Sequence, residues 1–188
     1  AIKESAIAAG LDPEDSELDL CELWRLLSVY RVNEGLNNHV TLQVQEAFGR
    51  YDKERCGEVS TLEVGKIMRL LGYTLSFEVQ QQFISRVDVD ESGKLSVAEL
   101  RKMLRMLRER DLDSYREAWK WIVPGGAETI SGEEASVALL RLDIVDPAAT
   151  MKGEVLLPEE FIPNPDGTAN RIDYQGFLRA AVRHGASA

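Results

Sequence analysis

Between residues 88 and 99 the chain reads Asp-Val-Asp-Glu-Ser-Gly-Lys-Leu-Ser-Val-Ala-Glu, and oxygen donors fall at fixed intervals along it. Asp88, Asp90 and Ser92 stand at positions 1, 3 and 5 of a twelve-residue loop. Lys94, at position 7, offers its backbone carbonyl. Ser96, at position 9, acts directly or through a water, and Glu99, at position 12, can bind with both carboxylate oxygens. A set of hard oxygen ligands that includes three carboxylates suits a hard divalent cation of the size of calcium. Gly93, at position 6, permits the sharp turn that brings the early ligands round the ion. Leu95, at position 8, points away from the ion and into a core.

A second stretch, Asp52 to Glu63, follows the same template less completely. Asp52, Glu54, Glu58, Ser60 and Glu63 take positions 1, 3, 7, 9 and 12, with Gly57 at 6 and Val59 at 8. Position 5 is Cys56. A thiol is a soft donor and calcium is a hard ion, and Glu54 is one methylene longer than aspartate. The loop is therefore expected to keep its shape and to bind calcium weakly or not at all.

The elements that must hold these loops are helices. Thr41 is expected to cap a helix carrying Val44, Ala47, Phe48 and Tyr51. After the first loop, Leu62, Ile67, Met68, Leu70 and Leu71 recur at helical spacing up to Gly72. Ser76 is expected to cap a helix with Val79, Phe83, Ile84 and Val87. The complete loop leads into Val97, Leu100, Met103, Leu104 and Leu107. Asp52 and Asp88 lie 36 residues apart (88 minus 52), the spacing of two helix-loop-helix units joined by a short linker. Val59 and Leu95 would face each other in a short antiparallel pair.

The stretches Glu-Ala-Phe-Gly-Arg-Tyr-Asp-Lys, Ile-Met-Arg-Leu-Leu-Gly and Arg-Val-Asp-Val-Asp-Glu-Ser-Gly-Lys resemble the first pair of hands in the calmodulin and troponin C family of EF-hand proteins, over about residues 40–110. The resemblance implies an all-α fold of EF-hand pairs in two lobes, with short antiparallel β contacts between paired loops. It also implies a lobe that answers calcium through its second loop.

Leu20, Leu23, Trp24, Leu27 and Tyr30 mark an amphipathic helix over about 18–34, with Gly35 as its stop. Leu11 to Glu22 overlays the loop template with Leu18 at position 8, but Leu11 and Pro13 supply no ligand. The segment is either a degenerate hand or a capped helix after an irregular start. Arg105 to Ser114 resembles a linker helix between lobes. Tyr115, Ala118, Trp119 and Ile122 form an apolar face in a second lobe. Its loops are eroded. Setting Ile130 at position 8 leaves Val123, Gly125 and Ala127 at 1, 3 and 5. Setting Ile172 at position 8 of 165–176 leaves Gly176 at 12, with Asp166 and Asp173 not placed to surround an ion. Pro147 is expected to start a helix, and 152–163 reads as an insertion. The expected organisation is an N-terminal helical segment over 1–38, a lobe with one intact loop over 39–110 and a second lobe with degenerate loops over 111–188.

Positions 9 and 12 have another use, because Ser or Asp at 9 and Glu at 12 make a capping box. Asp19/Glu22, Ser60/Glu63, Ser96/Glu99 and Ser131/Glu134 all fit one. Only positions 1, 3 and 5 discriminate metal from cap, and only the Asp88 loop satisfies all three.

Composition narrows the function classes. The 188 residues are 44% hydrophobic, enough for a core, and the net charge of -10 argues against nucleic acid or an anionic membrane as direct partner. Cys21 and Cys56 have no zinc spacing, which favours a reduced, cytoplasmic setting, with the cytoskeleton as one destination. No apolar run spans a membrane and no signal-peptide pattern opens the chain. Because Ala1 is no initiator, processing or an upstream segment is expected. His39 and His184 belong to no catalytic arrangement, so an enzyme is not expected.

Met68, Met103 and Met106 lie on exit helices, where they either line a partner groove or fill the core. Trp121 lies off the apolar face and is a candidate partner contact. Two functions remain in front. One is a calcium-binding regulatory adaptor that grips a protein partner, a helical segment or a larger assembly. The other is a calcium-independent, light-chain-like structural subunit, for example cytoskeletal or axonemal. A calcium buffer is a weaker third, since one good site in 188 residues buffers little.

Overall fold

In the computed structural model, residues 1–15, 17–123, 125, 127–142, 144 and 171–185 are described. The expected helix at Pro147, the insertion at 152–163, Asp166 and the first half of the loop 165–176 lie outside them. The described chain divides into two units, Ala1–Arg108 and Glu109–Ala188.

The first unit holds α1 (Ile2–Ala8), α2 (Leu20–Val32), α3 (Asn38–Tyr51), β1 (Glu58–Ser60), α4 (Thr61–Leu70), α5 (Phe77–Val87) and β2 (Lys94–Ser96). It also holds the start of α6 (Val97–Ile122). β1 and β2 pair antiparallel with Val59 opposite Leu95, the register read from the loop template. Both side chains are buried, and they join a core of Val44, Phe48, Ile67, Phe83, Leu100 and Leu104. Neither loop closes this core alone, because each contributes one strand and one apolar plug to the pair.

Local sequence explains the helix ends. Asp19 and Glu22 form the expected capping box at α2, and Ser76 caps α5 by accepting from the Val79 N–H at 3.4 Å. Two expectations are corrected. Asn37, not Thr41, caps α3, accepting from the Val40 N–H at 2.8 Å, and Thr41 lies inside the helix. At Ser60 the side chain accepts from the Leu62 N–H, one residue short of a box with Glu63. The apolar stripe of α4 is also shifted. Val64, Ile67 and Met68 are buried, whereas Leu62 and Leu70 are exposed.

The N-terminal segment is tied to the hands at three points. Glu4 of α1 accepts from the Asn38 N–H at 2.8 Å, supplying an anion to the positive end of α3. Leu36 sits in the core, and Glu34 pairs with Arg105 of α6 at 3.1 Å. Gly35 ends the α2 turn at φ +67, and a Cβ there would meet the Tyr30 hydroxyl at 2.5 Å, so glycine is favoured. Leu18 joins no strand among the described residues, and the 12–19 stretch is held by local turns through Asp12 and Asp15.

The second unit takes the rest of α6, then β3 (Thr129–Ser131), α7 (Gly132–Arg141), β4 (Arg171–Asp173) and α8 (Tyr174–Gly185). β3 and β4 pair antiparallel with Ile130 opposite Ile172. Their plug enters a core of Tyr115, Ala118, Ala135, Leu139 and Phe177, against which Trp119 sets its ring 5.5 Å from both Tyr174 and Phe177. The same pairing device therefore recurs here, although Val123, Gly125 and Ala127 stand at positions 1, 3 and 5 of the first loop. No helix among the described residues is long and apolar enough to cross a membrane.

Candidate metal centre

The Asp88–Glu99 loop begins where α5 ends. Asp88 is its C-cap and is 8% exposed, one of the few buried charged residues. Its carboxylate organises the turn. Oδ1 accepts from the Ser92 N–H at 3.0 Å and Oδ2 from the Gly93 N–H at 3.1 Å. The chain bends through positive φ at Glu91 and Gly93, so the two amides converge on one side chain. Ser92 Oγ then lies 3.3 Å from Asp88 Oδ1 and 3.1 Å from the Lys94 carbonyl. Three of the six sequence-predicted donors thus stand as neighbours, at separations that suit adjacent oxygens around a calcium ion with bonds of about 2.3–2.6 Å.

Asp90 is exposed, with Oδ1 3.2 Å from the Ser92 N–H. Hydrogen bonding from Ser92, side chain first and then backbone, holds its carboxyl below the ordinary carboxylate range. It is therefore ionised at neutral pH, as a cation ligand must be.

Glu99 is engaged elsewhere. Its Oε2 accepts from both the N–H and the hydroxyl of Ser96, each at 2.8 Å, and its own N–H donates to Ser96 Oγ at 3.3 Å. It closes the capping box of α6. Accordingly, no three His, Cys, Asp or Glu side chains converge to the spacing of a metal cluster among the described residues. The donor chemistry of Asp88, Asp90, Ser92, the Lys94 carbonyl, Ser96 and Glu99 fits a hard divalent cation, and of the Glu99 carboxylate oxygens Oε2 is the one that caps α6.

The first loop repeats this construction with one atom changed. Asp52 Oδ1 accepts from the Cys56 N–H and Oδ2 from the Gly57 N–H, both at 2.9 Å. Arg55 and Gly57 take the positive φ of Glu91 and Gly93. Cys56 Sγ lies 3.6 Å from Asp52 Oδ1 and 3.4 Å from the Glu58 carbonyl, the two bonds that Ser92 Oγ makes in the other loop. Sulfur stands where a hard ion needs oxygen. Glu54 is exposed, and the Glu58 carboxylate pairs with the Lys94 ammonium at 3.4 Å. Sequence reasoning did not find that ion pair, although the β1–β2 register places its two partners near each other on adjacent strands.

The remaining site residues separate by unit. Met68 and Met103 are sealed in the first core at 1% and 0% exposure, and Met106 packs against it half-buried. In the second unit Trp121 is exposed, with the Arg141 guanidinium 4.4 Å from its ring centroid. Asp173 also has a plain role, since its Oδ1 accepts from the Gly176 N–H at 2.7 Å and so caps α8.

No family model matches the chain. Among curated proteins it is 35% identical over 140 residues to a troponin C of Blattella germanica, an alignment covering 72% of this chain and 89% of that protein. It is also 35% identical to two probable calcium-binding proteins of Arabidopsis thaliana, CML26 over 63 residues and CML23 over 68. Those alignments cover 34% and 36% of this chain, and the chain spans 39% and 43% of the length of the two plant proteins. Among solved structures, a chain of a Chaetomium theromophilum TREX2 CID domain complex aligns at a TM-score of 0.36 and 20% identity. That alignment covers 79% of this chain and 92% of the other.

Proposed function

This chain belongs to the calmodulin and troponin C-like family of EF-hand calcium-binding proteins, and from that premise we propose that it is a regulatory adaptor with one competent calcium loop, Asp88–Glu99. Asp88, Asp90, Ser92, the Lys94 carbonyl, Ser96 and Glu99 would hold the ion. The ion supplies two positive charges that draw these oxygens together.

One contrast carries the reading. Ser92 places oxygen 3.3 Å from the Asp88 carboxylate, and Cys56 places sulfur at the equivalent point beside Asp52. Binding would move Glu99 off Ser96 and so change the start of α6, a helix packed into the first core through Leu100, Met103 and Leu104. That motion is the means by which the first unit would signal to a protein partner, for which a helical segment is the expected form.

A titration tests the assignment. Isothermal calorimetry should show one calcium per chain, with binding removed by Glu99→Gln and retained in Glu63→Gln. Two strong sites, or binding that survives Glu99→Gln, would overturn it.

A light-chain-like role that needs no calcium is the second reading, and the second unit favours it. There β3 and β4 pair and the core closes, while Val123, Gly125 and Ala127 stand where ligands would be. Equal capture of a partner in calcium and in chelator would support this second reading over the first.

A further inference from the structure

Helix α2 carries an exposed row that none of the described residues of the first unit covers. Leu20, Trp24, Leu27 and Arg31 follow one another at intervals of four, three and four residues, the seam spacing of two helices packed side by side. Leu20 is 82% exposed, Trp24 70% and Leu27 44%, with Leu23 flanking the row at 40%. None of the thirteen residues of α2 is buried. Leu26, Val29 and Tyr30, on the opposite side, are half-buried. The helix thus turns one side to its own unit and leaves the seam outward, as an ordered, preformed surface.

Charge selects what lies on it. Glu17 and Asp19 precede the row, so its start is acidic, and Arg31 ends it. Arg31 is exposed, and no ion pair to it is present among the described residues. A parallel copy would set acid against acid and arginine against arginine. An antiparallel copy sets Arg31 of each chain beside Glu17 and Asp19 of the other, twice by symmetry, and lays Trp24 against Leu27 in the middle.

We propose that α2 is a self-association surface whose occupant is α2 of a second copy of this chain, antiparallel about a two-fold axis. Four apolar side chains cover much less than the ~800 Å² per partner of a tight complex, so the pairing is weak, with Kd on the order of 10⁻⁴ M.

The test is sedimentation equilibrium of the full chain from about 5 µM to 1 mM in chelator, so that calcium plays no part and failure of the metal reading cannot imitate failure of this one. Wild type should pass from monomer to dimer across that range. Trp24→Gln and Arg31→Glu should each weaken association about tenfold or more, the second chiefly at low salt. Both side chains are exposed, so the circular dichroism spectrum should not change. Adding Glu17→Arg to Arg31→Glu should restore part of the loss, since Asp19, the cap of α2, keeps its charge. A monomer at 1 mM, a dimer indifferent to Trp24→Gln, or a charge swap that restores nothing would overturn the proposal, the last by removing the antiparallel register.

Discussion

Glu99→Gln separates the two jobs of one side chain, and their sizes can be worked out. As a cap, Glu99 receives two hydrogen bonds from Ser96 at 2.8 Å. Glutamine keeps the length and one acceptor oxygen, so the cap should lose only its charge contribution, about 0.5–1 kcal/mol. As a ligand, Glu99 is not replaceable by a neutral amide. With Kd on the order of 10⁻⁵ M, the weak end of the sensor range, 1 mM calcium stabilises the folded state by about 2.7 kcal/mol. The first unit ends at Arg108. At about 2.1 cal/mol/K per residue its unfolding entropy is about 0.23 kcal/mol/K, so that stabilisation corresponds to a rise in Tm of about 12 °C. Limits of 10⁻⁶ and 10⁻⁴ M for Kd give about 18 and 6 °C by the same arithmetic. Differential scanning calorimetry in chelator and in 1 mM calcium should therefore show a shift in that range for wild type. For Glu99→Gln it should show less than about 2 °C of calcium shift and a chelator Tm about 2–4 °C below wild type. An equal calcium shift in both proteins would refute the ligand assignment. A fall of about 10 °C or more in chelator would show that the charge is needed for the fold itself.

Two further substitutions read the paired loops. Leu95→Ala empties a fully buried plug and should cost about 2–5 kcal/mol in urea denaturation, whereas Leu62→Ala, at a position 83% exposed, should stay within about 0.5 kcal/mol. Equal effects would mean that the β1–β2 pair is not part of the core. Cys56→Ser puts a hydroxyl where Sγ lies 3.6 Å from Asp52 Oδ1 and 3.4 Å from the Glu58 carbonyl. Calorimetry should then register a second, weaker calcium binding event. Unchanged stoichiometry would move the fault in that loop from Cys56 to Glu54.

The parts of the fold legible in the sequence were those fixed by one residue type at one place. Val59 opposite Leu95, and Ile130 opposite Ile172, followed from the apolar residue at position 8 of each loop. The Ser76 cap and the Asp19/Glu22 box followed from side-chain reach along a single chain. What failed depended on choices between near equals or on contacts across the fold. Asn37 and Thr41 are both good capping types, and the residue that starts α3 is Asn37, just after the buried Leu36. Leu62 and Leu70 look as apolar as Val64 and Ile67, yet α4 meets its core along only one line. The Glu4 bond to the Asn38 N–H crosses 34 residues, and no local pattern announces it. Cys56 lay between these cases. Its softness was plain from the sequence, but not that its sulfur would reproduce both hydroxyl contacts of Ser92.

That reproduction locates the information that separates a folding loop from a binding loop. The turn is made by backbone amides closing on the first carboxylate, Cys56 and Gly57 on Asp52, or Ser92 and Gly93 on Asp88. The exit helix is started by position 9, with position 12 closing a box in the Ser96/Glu99 and Ser131/Glu134 pairs. Both tasks are performed by hydrogen bonds within the chain, and both use residues that also count as ligands. A loop can therefore lose its donors at positions 3 and 5 and still fold, pair and plug the core. The second unit goes further, keeping the Ser131/Glu134 box and the Ile130–Ile172 contact with no acid at positions 1, 3 and 5 of its first loop. What the folded loops of both units share is an apolar residue at position 8 and a helix-starting serine at position 9, Val59/Ser60, Leu95/Ser96 and Ile130/Ser131, and the ion depends on the remaining positions. Ser92 against Cys56, one oxygen against one sulfur in matched surroundings, is the place in this chain where the two demands come apart.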